Sequence, residues 1–337
     1  MNYIVFDLEW NQCPYGKDRE NKRLPFEIIE FGAVKLDENR KVIDKFQQIV
    51  KPAVYHRLHY RTKEILNIDK NTLESGLSFS KSVRRFLRWC GEDVVFCTWG
   101  PTDLIELQRN LKYYTMLHFL EGPVRYYDLQ KIFGIACEGK KNCRSLEYAI
   151  DFLKIEKTES FHRALHDAWY TAEVFAKLPI EVVEKNYSID TYQNPKSKKE
   201  EIHVMFENYS KYISREFPTK EDAMKDREVV STKCIVCNNT AKKKIRWFSM
   251  NTKSHVCLAY CPEHGYLKGK IRLKKTDEGN YYVVKTVKKI NEEEAVEIRE
   301  NEICFGKKGV KKDISDVFFH AFFDFDVFFC FIALNDF

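Results

Sequence analysis

The sequence predicts a chain of two folded parts, an α/β domain with a mixed sheet and flanking helices, followed by a small β-rich zinc-binding domain. Three observations predict this. The first fifty residues have the pattern of strands, the stretch up to Pro179 alternates helices with short strands, and two pairs of metal-ligand residues lie between Cys234 and His264. A chain of 337 residues is also longer than one core usually fills, so two units are expected.

Strands open the chain. Apolar segments over 3–10, 27–36 and 42–50 are separated or ended by breaking residues, among them a turn at 37–39 and Pro52. Consecutive strands joined by short connections usually pair with each other. We therefore expect a three-stranded meander at the start of the sheet.

Helices then alternate with strands. Apolar residues spaced three and four apart predict amphipathic helices, and short apolar runs predict buried strands. The predicted elements are helices over 62–75 and 80–90, a strand over 94–98, a helix over 102–114, a strand near 124–128, and helices over 145–153 and 163–178. Pro179 ends the last helix.

The same pattern divides the chain into segments. They are an α/β domain over 1–180, a charged and partly helical connector over 181–232, a zinc-binding domain over 233–290 and a C-terminal extension over 291–337. A Phe-rich tail over 317–337 is interrupted by His320, Asp324 and Asp326, so it falls short of the roughly 20 apolar residues of a membrane-spanning helix. The favoured interpretation of the tail is packing against the body; contact with a membrane or partner is a second, and an artefact of the sequence is a third.

The composition argues against export and against a disulfide scaffold. Asp7 and Glu9 interrupt the apolar N-terminus, which has no basic segment before it and does not read as a signal peptide. Eleven cysteines form an odd number without a compact framework, which suits a reducing compartment. We therefore expect a cytoplasmic protein with no membrane partner.

Positive charge is concentrated in the predicted zinc-binding domain. Residues 233–275 hold 11 Lys and Arg against one acid, Glu263, although the whole chain carries only +6. Such an excess is typical of a nucleic-acid-binding surface, and a solvated Lys-rich face is the alternative. Trp247 and Tyr266 lie among these cations, which predicts a surface that follows a phosphate backbone and stacks on bases.

Two acids lie in the first strand. Alternate residues of a strand point to the same side, so Asp7 and Glu9 share one face about 7 Å apart. Two like charges on a buried strand need a compensating cation, and a divalent metal pair suits carboxylate oxygens. A strand end open to water is the alternative interpretation.

Two further acids lie on helices. Asp167 stands in the small and apolar stripe of the last helix, where a buried carboxylate needs a partner such as a shared metal. Asp103 begins the helix after the strand 94–98, where α/β sheets place ligand-binding groups. An ordinary acid at a helix N-terminus is the alternative for Asp103.

Three segments carry a resemblance to a known family. They are Phe6-Asp7-Leu8-Glu9, Trp99-Gly100-Pro101-Thr102-Asp103-Leu104 and His162-Arg163-Ala164-Leu165-His166-Asp167-Ala168. In order and spacing they resemble the three motifs of the DEDDh 3'-5' exonucleases, which have an RNase H-like fold. The segment 26–34 and Arg144-Ser145-Leu146 are most similar to the branch that trims small interfering RNA and histone mRNA ends. The resemblance covers roughly residues 1–180.

The resemblance implies roles for the site residues. The four acids that would hold two Mg²⁺ or Mn²⁺ ions are Asp7, Glu9, Asp103 and Asp167. His162 would be the general base, and it is preferred to His166 because the family's histidine also lies five residues before its last aspartate. The implied reaction is hydrolysis of single-stranded RNA, or of DNA as the less favoured polymer, from the 3' end to nucleoside 5'-monophosphates.

Two other functions fit the same residues. A proofreading or repair exonuclease attached to a polymerase would have the same motifs, and a stable polymerase complex would distinguish it. A catalytically idle nucleic-acid-binding protein would keep the fold. Such a protein has no reason to keep Asp7, Glu9, Asp103, His162 and Asp167 together.

Four residues of the second domain have the spacing of a structural zinc site. Cys234 with Cys237, and Cys261 with His264, form two ligand pairs in tight turns, and together they predict one structural Zn²⁺. Cys257, on the same strand face as Cys261, is an alternative ligand, and a set of ordinary reduced cysteines is the alternative to a site. Because a domain this small has little core, zinc binding would contribute to its folding.

Overall fold

Two six-stranded sheets, each with its own helices, make up the chain. The structure is a computed structural model and describes residues 1–66, 68, 70–139 and 143–306. It divides into two units after Gln193. The first unit is an RNase H-like α/β fold with a mixed sheet, and the second is β-rich. Both confirm the predicted fold classes.

The sheet of the first unit has the strand order β3-β2-β1-β4-β5-β6. Its strands are β1 (Asn2–Gln12), β2 (Phe26–Leu36), β3 (Val42–Ile49), β4 (Val94–Thr98), β5 (Arg125–Asp128) and β6 (Ser188–Ile189). The first three pair antiparallel, β4 lies parallel to β1, and β5 lies parallel to β4. The predicted meander is therefore confirmed, and β1 is a central strand.

Helices cover both faces of this sheet. They are α1 (Tyr60–Leu66), α2 (Lys70–Ser75), α3 (Phe79–Cys90), α4 (Thr102–Tyr113), α5 (Leu129–Glu138), α6 (Leu146–Phe152), α7 (Ala164–Lys177) and α8 (Ile180–Lys185). Residues that alternate along β1 point to opposite sides, so Phe6 packs with Phe86 of α3, whereas Val5 packs in the core of α7. Asp7 follows Val5 on the α7 side.

The helix predicted over 62–75 is two helices. In one continuous helix Ile68 would face away from Leu66 and Leu73, because two residues turn a helix by about 200°. In the structure these three side chains share one apolar cluster with Ile29. Burial of Ile68 therefore accounts for the break between α1 and α2.

The second unit is an antiparallel sheet with the order β7-β8-β12-β11-β10-β9. Its strands are β7 (Ile202–Met205), β8 (Tyr209–Ile213), β9 (Lys242–Asn251), β10 (Ser254–Cys261), β11 (Gly265–Lys275) and β12 (Tyr281–Lys289). Its helices are α9 (Lys220–Lys225), α10 (Arg227–Val230) and α11 (Glu292–Gly306). Across the described part of the chain, no helix is long and apolar enough to cross a membrane.

The structure differs from the connector predicted over 181–232. The helix α8 and strand β6 belong to the first unit, whereas β7 and β8 complete the sheet of the second. The buried Ile213 of β8 faces Val284 of β12, so this charged stretch carries part of a core. The predicted extension 291–337 begins with α11, and its Phe-rich tail lies outside the described residues.

Candidate functional site

The side chains of Asp7 and Glu9 meet Asp167 on one face of the first sheet. Asp7 and Glu9 lie on the α7 side of β1, and Asp167 lies in the first turn of α7. Carboxylate oxygens of these three residues are all within 4.8 Å of one another. The structure therefore brings together three of the four predicted acids.

A glycine allows this approach. Gly32 lies opposite Asp7 in the register of β1 and β2. A Cβ atom at Gly32 would be 2.0 Å from both the carbonyl carbon of Ala164 and the amide nitrogen of Leu165. Because no side chain fits there, the backbone of α7 can lie directly against the sheet, and Asp167 comes within reach of Asp7 and Glu9.

Asp103 is adjacent to this group but is not within its 4.8 Å limit. It is buried in the first turn of α4, and its Oδ1 accepts a hydrogen bond of 3.2 Å from the amide nitrogen of Leu8. That amide lies between Asp7 and Glu9. The negative charge of Asp103 contributes to raising the pKa of Asp7, as expected of carboxylates that face the same small volume.

Burial and mutual repulsion make the ionised site unfavourable without a cation. Burial, followed by the charge of Asp103, raises the pKa of Asp7 well above its ordinary value. The pKa of Glu9 is also raised well above its ordinary value, by burial and then by the charge of Asp167. Burial raises the pKa of Asp103 to about 7 and that of Asp167 to about 6. A divalent cation would offset this repulsion.

The donor set fits a hard divalent metal. Asp167 Oδ2 accepts a hydrogen bond of 3.0 Å from the backbone nitrogen of His162, whereas its buried Oδ1 has no hydrogen-bond partner among the described residues. Converging carboxylate oxygens, one of them without a partner, are what Mg²⁺ and Mn²⁺ bind. Asp7, Glu9 and Asp167 could therefore hold such an ion, with Asp103 beside them.

The two histidines of the third motif differ in their surroundings. His162 is exposed and has a φ of 64° in the segment that leads into α7. The Nδ1 atom of His166 lies 2.9 Å from the carbonyl oxygen of Ser160. His166 therefore contacts the backbone of the segment that carries His162, which agrees with the preference for His162 as the base.

Sequence reasoning did not single out two further ionised residues beside the site. Glu30 of β2 lies directly across from Glu9, is fully buried, and pairs with Arg163. Arg163 stands inside the third motif, but nothing in the sequence connects it with Glu30, because their contact depends on how α7 meets the sheet. The register of β1 and β2 would have been the only signal.

The second unit brings together all four predicted zinc ligands. Ligand atoms of Cys234, Cys237, Cys261 and His264 lie within 4.8 Å of one another. Sγ of Cys261 is 3.7 Å from Sγ of Cys237 and 3.6 Å from Nδ1 of His264. Three thiols and an imidazole in this arrangement suit tetrahedral Zn²⁺.

Cys257 lies apart from this cluster. Its Sγ is 3.7 Å from the hydroxyl of Thr232 and packs against Gly269 on the buried side of the sheet. Burial raises the pKa of its thiol to about 11. The alternative in which Cys257 replaces a zinc ligand is therefore wrong for this structure, because β10 directs Cys257 into the core and Cys261 into the metal-ligand turn.

Curated proteins match a little more than half of this chain. A protein described as the probable 3'-5' exonuclease KapD of Bacillus subtilis is 27% identical over 174 residues, 51% of this chain and 82% of that protein. The DNA polymerase III subunit epsilon of Aquifex aeolicus is 27% identical over 195 residues, 58% of this chain and 88% of that protein. The solved nuclease domain of the DEDDh exonuclease 3'hExo bound to rAMP has a TM-score of 0.49 and 18% identity, covering 56% of this chain and 97% of that one.

The RNase H-like sheet and the three motifs define an enzyme, a 3'-5' exonuclease of the DEDDh type. The sequence profile of the RNase T family, described as an exonuclease, matches residues 4–175. The chain belongs to this family of exonucleases. The resemblance drawn from the motifs is confirmed.

Proposed function

We propose that the protein hydrolyses single-stranded nucleic acid stepwise from the 3' end, with RNA favoured over DNA, and releases nucleoside 5'-monophosphates. One observation carries this proposal. Carboxylates from two different elements, Asp7 and Glu9 of β1 and Asp167 of α7, converge to within 4.8 Å. A bound divalent cation would offset this buried negative charge, and phosphodiester hydrolysis uses such cations.

Each residue has a proposed role. Asp7, Glu9, Asp103 and Asp167 would hold two Mg²⁺ or Mn²⁺ ions. When bound, such ions lower the pKa of an attacking water and stabilise the leaving oxygen. His162 takes the proton of that water, since its side chain is exposed and its backbone is bonded to Asp167.

The cytoplasmic location stays a proposal that rests on the cysteine composition.

An end-labelled assay tests the polarity and the polymer. The full chain and the Asp7→Ala variant are incubated with single-stranded RNA and DNA, labelled at either end, in Mg²⁺, in Mn²⁺ or without metal. We expect shortening by single nucleotides from the 3' end, faster on RNA, that needs metal and is lost in the variant. Faster degradation of DNA would contradict the polymer preference, and no cleavage of either polymer would contradict the reaction.

A second candidate is a proofreading subunit bound to a polymerase. It is favoured by the 27% identity to the DNA polymerase III subunit epsilon, which the match covers over 88% of its length. Co-purification of the chain with a DNA polymerase, together with a preference for mismatched DNA 3' ends, would support this candidate. An active chain that is free of polymerase would count against it.

For the second unit we propose one structural Zn²⁺ and a nucleic-acid contact surface. Cys234 and Cys237, from the turn before β9, and Cys261 and His264, from the turn between β10 and β11, would hold the ion. Zn²⁺ closed by four protein ligands has no open position for a reactant, so its role is folding. Burial acts to raise the pKa of Cys234, but hydrogen bonds from backbone amides and from the thiols of Cys237 and Cys261 lower the pKa overall, which favours the thiolate that such a site needs.

The contact surface lies next to the zinc turn. The rings of Tyr260 and Tyr266 meet edge to face with centroids 5.1 Å apart. Lys244 lies 5.3 Å from the Tyr260 ring, and Arg299 of α11 lies 5.7 Å from the Tyr266 ring. Aromatic rings flanked by cations bind the bases and phosphates of single strands. Trp247, which was predicted to stack on bases, instead donates to the carbonyl of Val230 and packs in the core.

Charge reversal tests this surface. Lys244→Glu and Arg299→Glu are compared with Lys199→Glu, an exposed lysine of the same unit. We expect the first two variants to weaken RNA binding and to lower the slope of log K against log salt by about 1 each, and the control to change neither. Equal effects in all three variants would indicate a response to net charge and would contradict the surface.

A further inference from the structure

A half-buried ion pair lies beside the carboxylate group of the first unit. Glu30 faces Glu9 across β1 and β2, and its side chain is 0% exposed. Arg163 donates to both carboxylate oxygens of Glu30, from Nε to Oε2 at 3.1 Å and from Nη2 to Oε1 at 2.9 Å. A buried carboxylate needs such partners, and a two-bonded guanidinium is the strongest that a protein offers.

A third hydrogen bond connects this pair with strand β3. Nε2 of Gln47 donates to Oε1 of Glu30 at 2.7 Å. Gln47 belongs to β3 and lies opposite Gly32, the glycine on which α7 rests. Glu30 therefore connects two strands with the residue that directly precedes α7.

The residue held most directly by this connection is His162. Its φ of 64° is in the left-handed region, which a residue other than glycine adopts only at a cost. Its backbone nitrogen is bonded to Asp167, and the residue that follows it, Arg163, is bonded to Glu30. The backbone of His162 is thus fixed from both sides while its ring remains exposed.

The pair also sets the charge beside Glu9. Glu30 and Arg163 together are neutral, so the ion pair adds no net charge to the carboxylate group. Loss of Arg163 would leave an additional buried carboxylate next to Glu9, and loss of the Glu30 charge would leave a guanidinium there. The two losses therefore change the local potential in opposite directions.

We propose that Glu30 and Arg163 form a positioning pair that fixes His162 for proton transfer and keeps the surroundings of the metal ligands neutral. The first part rests on the proposed role of His162, and the second does not. Neither residue touches the reacting atoms in this proposal. A misplacement of the base by about 1 Å can lower a rate by about 10²-fold.

The test separates the two parts with three variants of the full chain. Arg163→Lys keeps the charge and loses the two-bonded geometry, Arg163→Gln loses both, and Glu30→Gln loses the opposite charge. Arg215→Gln is the control, because Arg215 of the second unit is a similarly half-buried arginine that pairs with Glu201 and also with Asp226. Measured quantities are kcat, KM, the melting temperature and the Mn²⁺ dissociation constant by calorimetry.

We expect all three variants of the pair to lower kcat by about 10²-fold with little change in KM. We expect Mn²⁺ to bind about tenfold more tightly to Arg163→Gln, about tenfold more weakly to Glu30→Gln, and unchanged to Arg163→Lys. The control should change neither quantity. A uniform fall in Mn²⁺ affinity and melting temperature, or an unchanged kcat in Arg163→Lys, would overturn the proposal.

Failure of the proposed function would look different. If the wild-type chain binds Mn²⁺ and the variants show these opposite shifts, but no nucleic acid is degraded, the exonuclease proposal fails and the charge role of the pair stands. If degradation needs His162 and metal but the variants of the pair remain fully active, the positioning role fails and the proposed function stands.

Discussion

The ring of His162 is exposed, whereas the ring of His166 is bonded to the carbonyl of Ser160. The proposed general base should therefore matter far more than its neighbour. We expect His162→Ala to lower kcat by about 10²- to 10⁴-fold, the usual contribution of a positioned base, and His166→Ala to lower it by less than about tenfold. Steady-state kinetics on labelled RNA measure both. Equal losses of kcat in the two variants, or a larger loss for His166→Ala, would contradict the assignment of His162 as the base.

Lys285 is a buried lysine in the second unit. Its Nζ donates to the carbonyl oxygens of Glu228 and Ser231, and burial lowers its pKa to about 8 from 10.5. Between these two values the unfolded chain holds a proton that the folded chain has lost, so the stability contributed by this residue rises as pH increases through that window.

Lys285→Met removes this titration. We expect the free energy of unfolding of the wild type, relative to the variant, to increase by up to about 3 kcal/mol between pH 8 and pH 10. Chemical denaturation at several pH values, followed by the fluorine resonance of labelled Trp247, measures it, since Trp247 is the only tryptophan after residue 193. A pH-independent difference would show that Lys285 is solvated.

At the scale of single residues, the sequence predicted groups that are local and missed pairs that are not. Asp7 and Glu9 share a face because a strand alternates, and Cys234 and Cys237 share a turn, so both follow from spacing. The contact of Glu30 with Arg163 joins distant parts of the chain. It depends on the register of the strands and on the position of α7 against the sheet, which no single segment of sequence specifies.

At the scale of elements, the position of α7 against the sheet depends on one glycine. A methyl group at Gly32 would overlap the backbone of Ala164 and Leu165 at 2.0 Å, so Gly32→Ala should displace α7 and carry Asp167 away from Asp7. We expect exonuclease activity to fall by at least about 10²-fold. Mn²⁺ binding by calorimetry and kcat are the measurements.

Gly76→Ala is a control for this change. Its Cβ would be 2.8 Å from the backbone nitrogen of Lys51, a milder overlap with backbone in another part of the same unit. It should lower the melting temperature and leave the activity of the folded fraction intact. Similar losses of activity in both variants would indicate general destabilisation and would contradict the account of Gly32.

Two turns carry the zinc prediction, the turn with Cys234 and Cys237 before β9 and the turn between β10 and β11. We expect one zinc per chain in the wild type, loss of that zinc with loss of structure in Cys237→Ser, and retention of it in Cys257→Ser, because Cys257 contacts Thr232 instead. Elemental analysis of the purified proteins measures the content. Zinc retained in Cys237→Ser and lost in Cys257→Ser would reverse the ligand assignment.

Elements with a clear apolar pattern were predicted well. Short strands that carry polar or charged residues between their apolar ones were not. The strand β4 runs over Val94–Thr98, as expected, because it is a continuous apolar run. The strands β7 and β8 carry His203 and Lys211 between their apolar residues. Because of these polar residues the alternation of apolar and polar side chains was not recognised, and the segment was predicted to be a connector.

At the scale of the whole molecule, the boundary after Gln193 predicts how the activities separate. We expect a chain that ends at Gln193 to keep its metal-dependent kcat, because the acids and His162 all lie before it. It should bind RNA more weakly and with a smaller salt slope, because the cation-rich residues 233–275 are gone. Unchanged affinity at low salt would contradict a binding role for the second unit.

The most direct test of the central claim is the Mn²⁺ dependence of nucleotide release by the wild type and by Asp167→Asn. The account predicts stepwise shortening of 5'-labelled single-stranded RNA with release of nucleoside 5'-monophosphates, at a rate that saturates with Mn²⁺ and falls by about 10³-fold or more in the variant. Asp167→Asn that releases nucleotides at the wild-type rate, with the same Mn²⁺ dependence, would contradict the claim that Asp7, Glu9 and Asp167 form the site of hydrolysis.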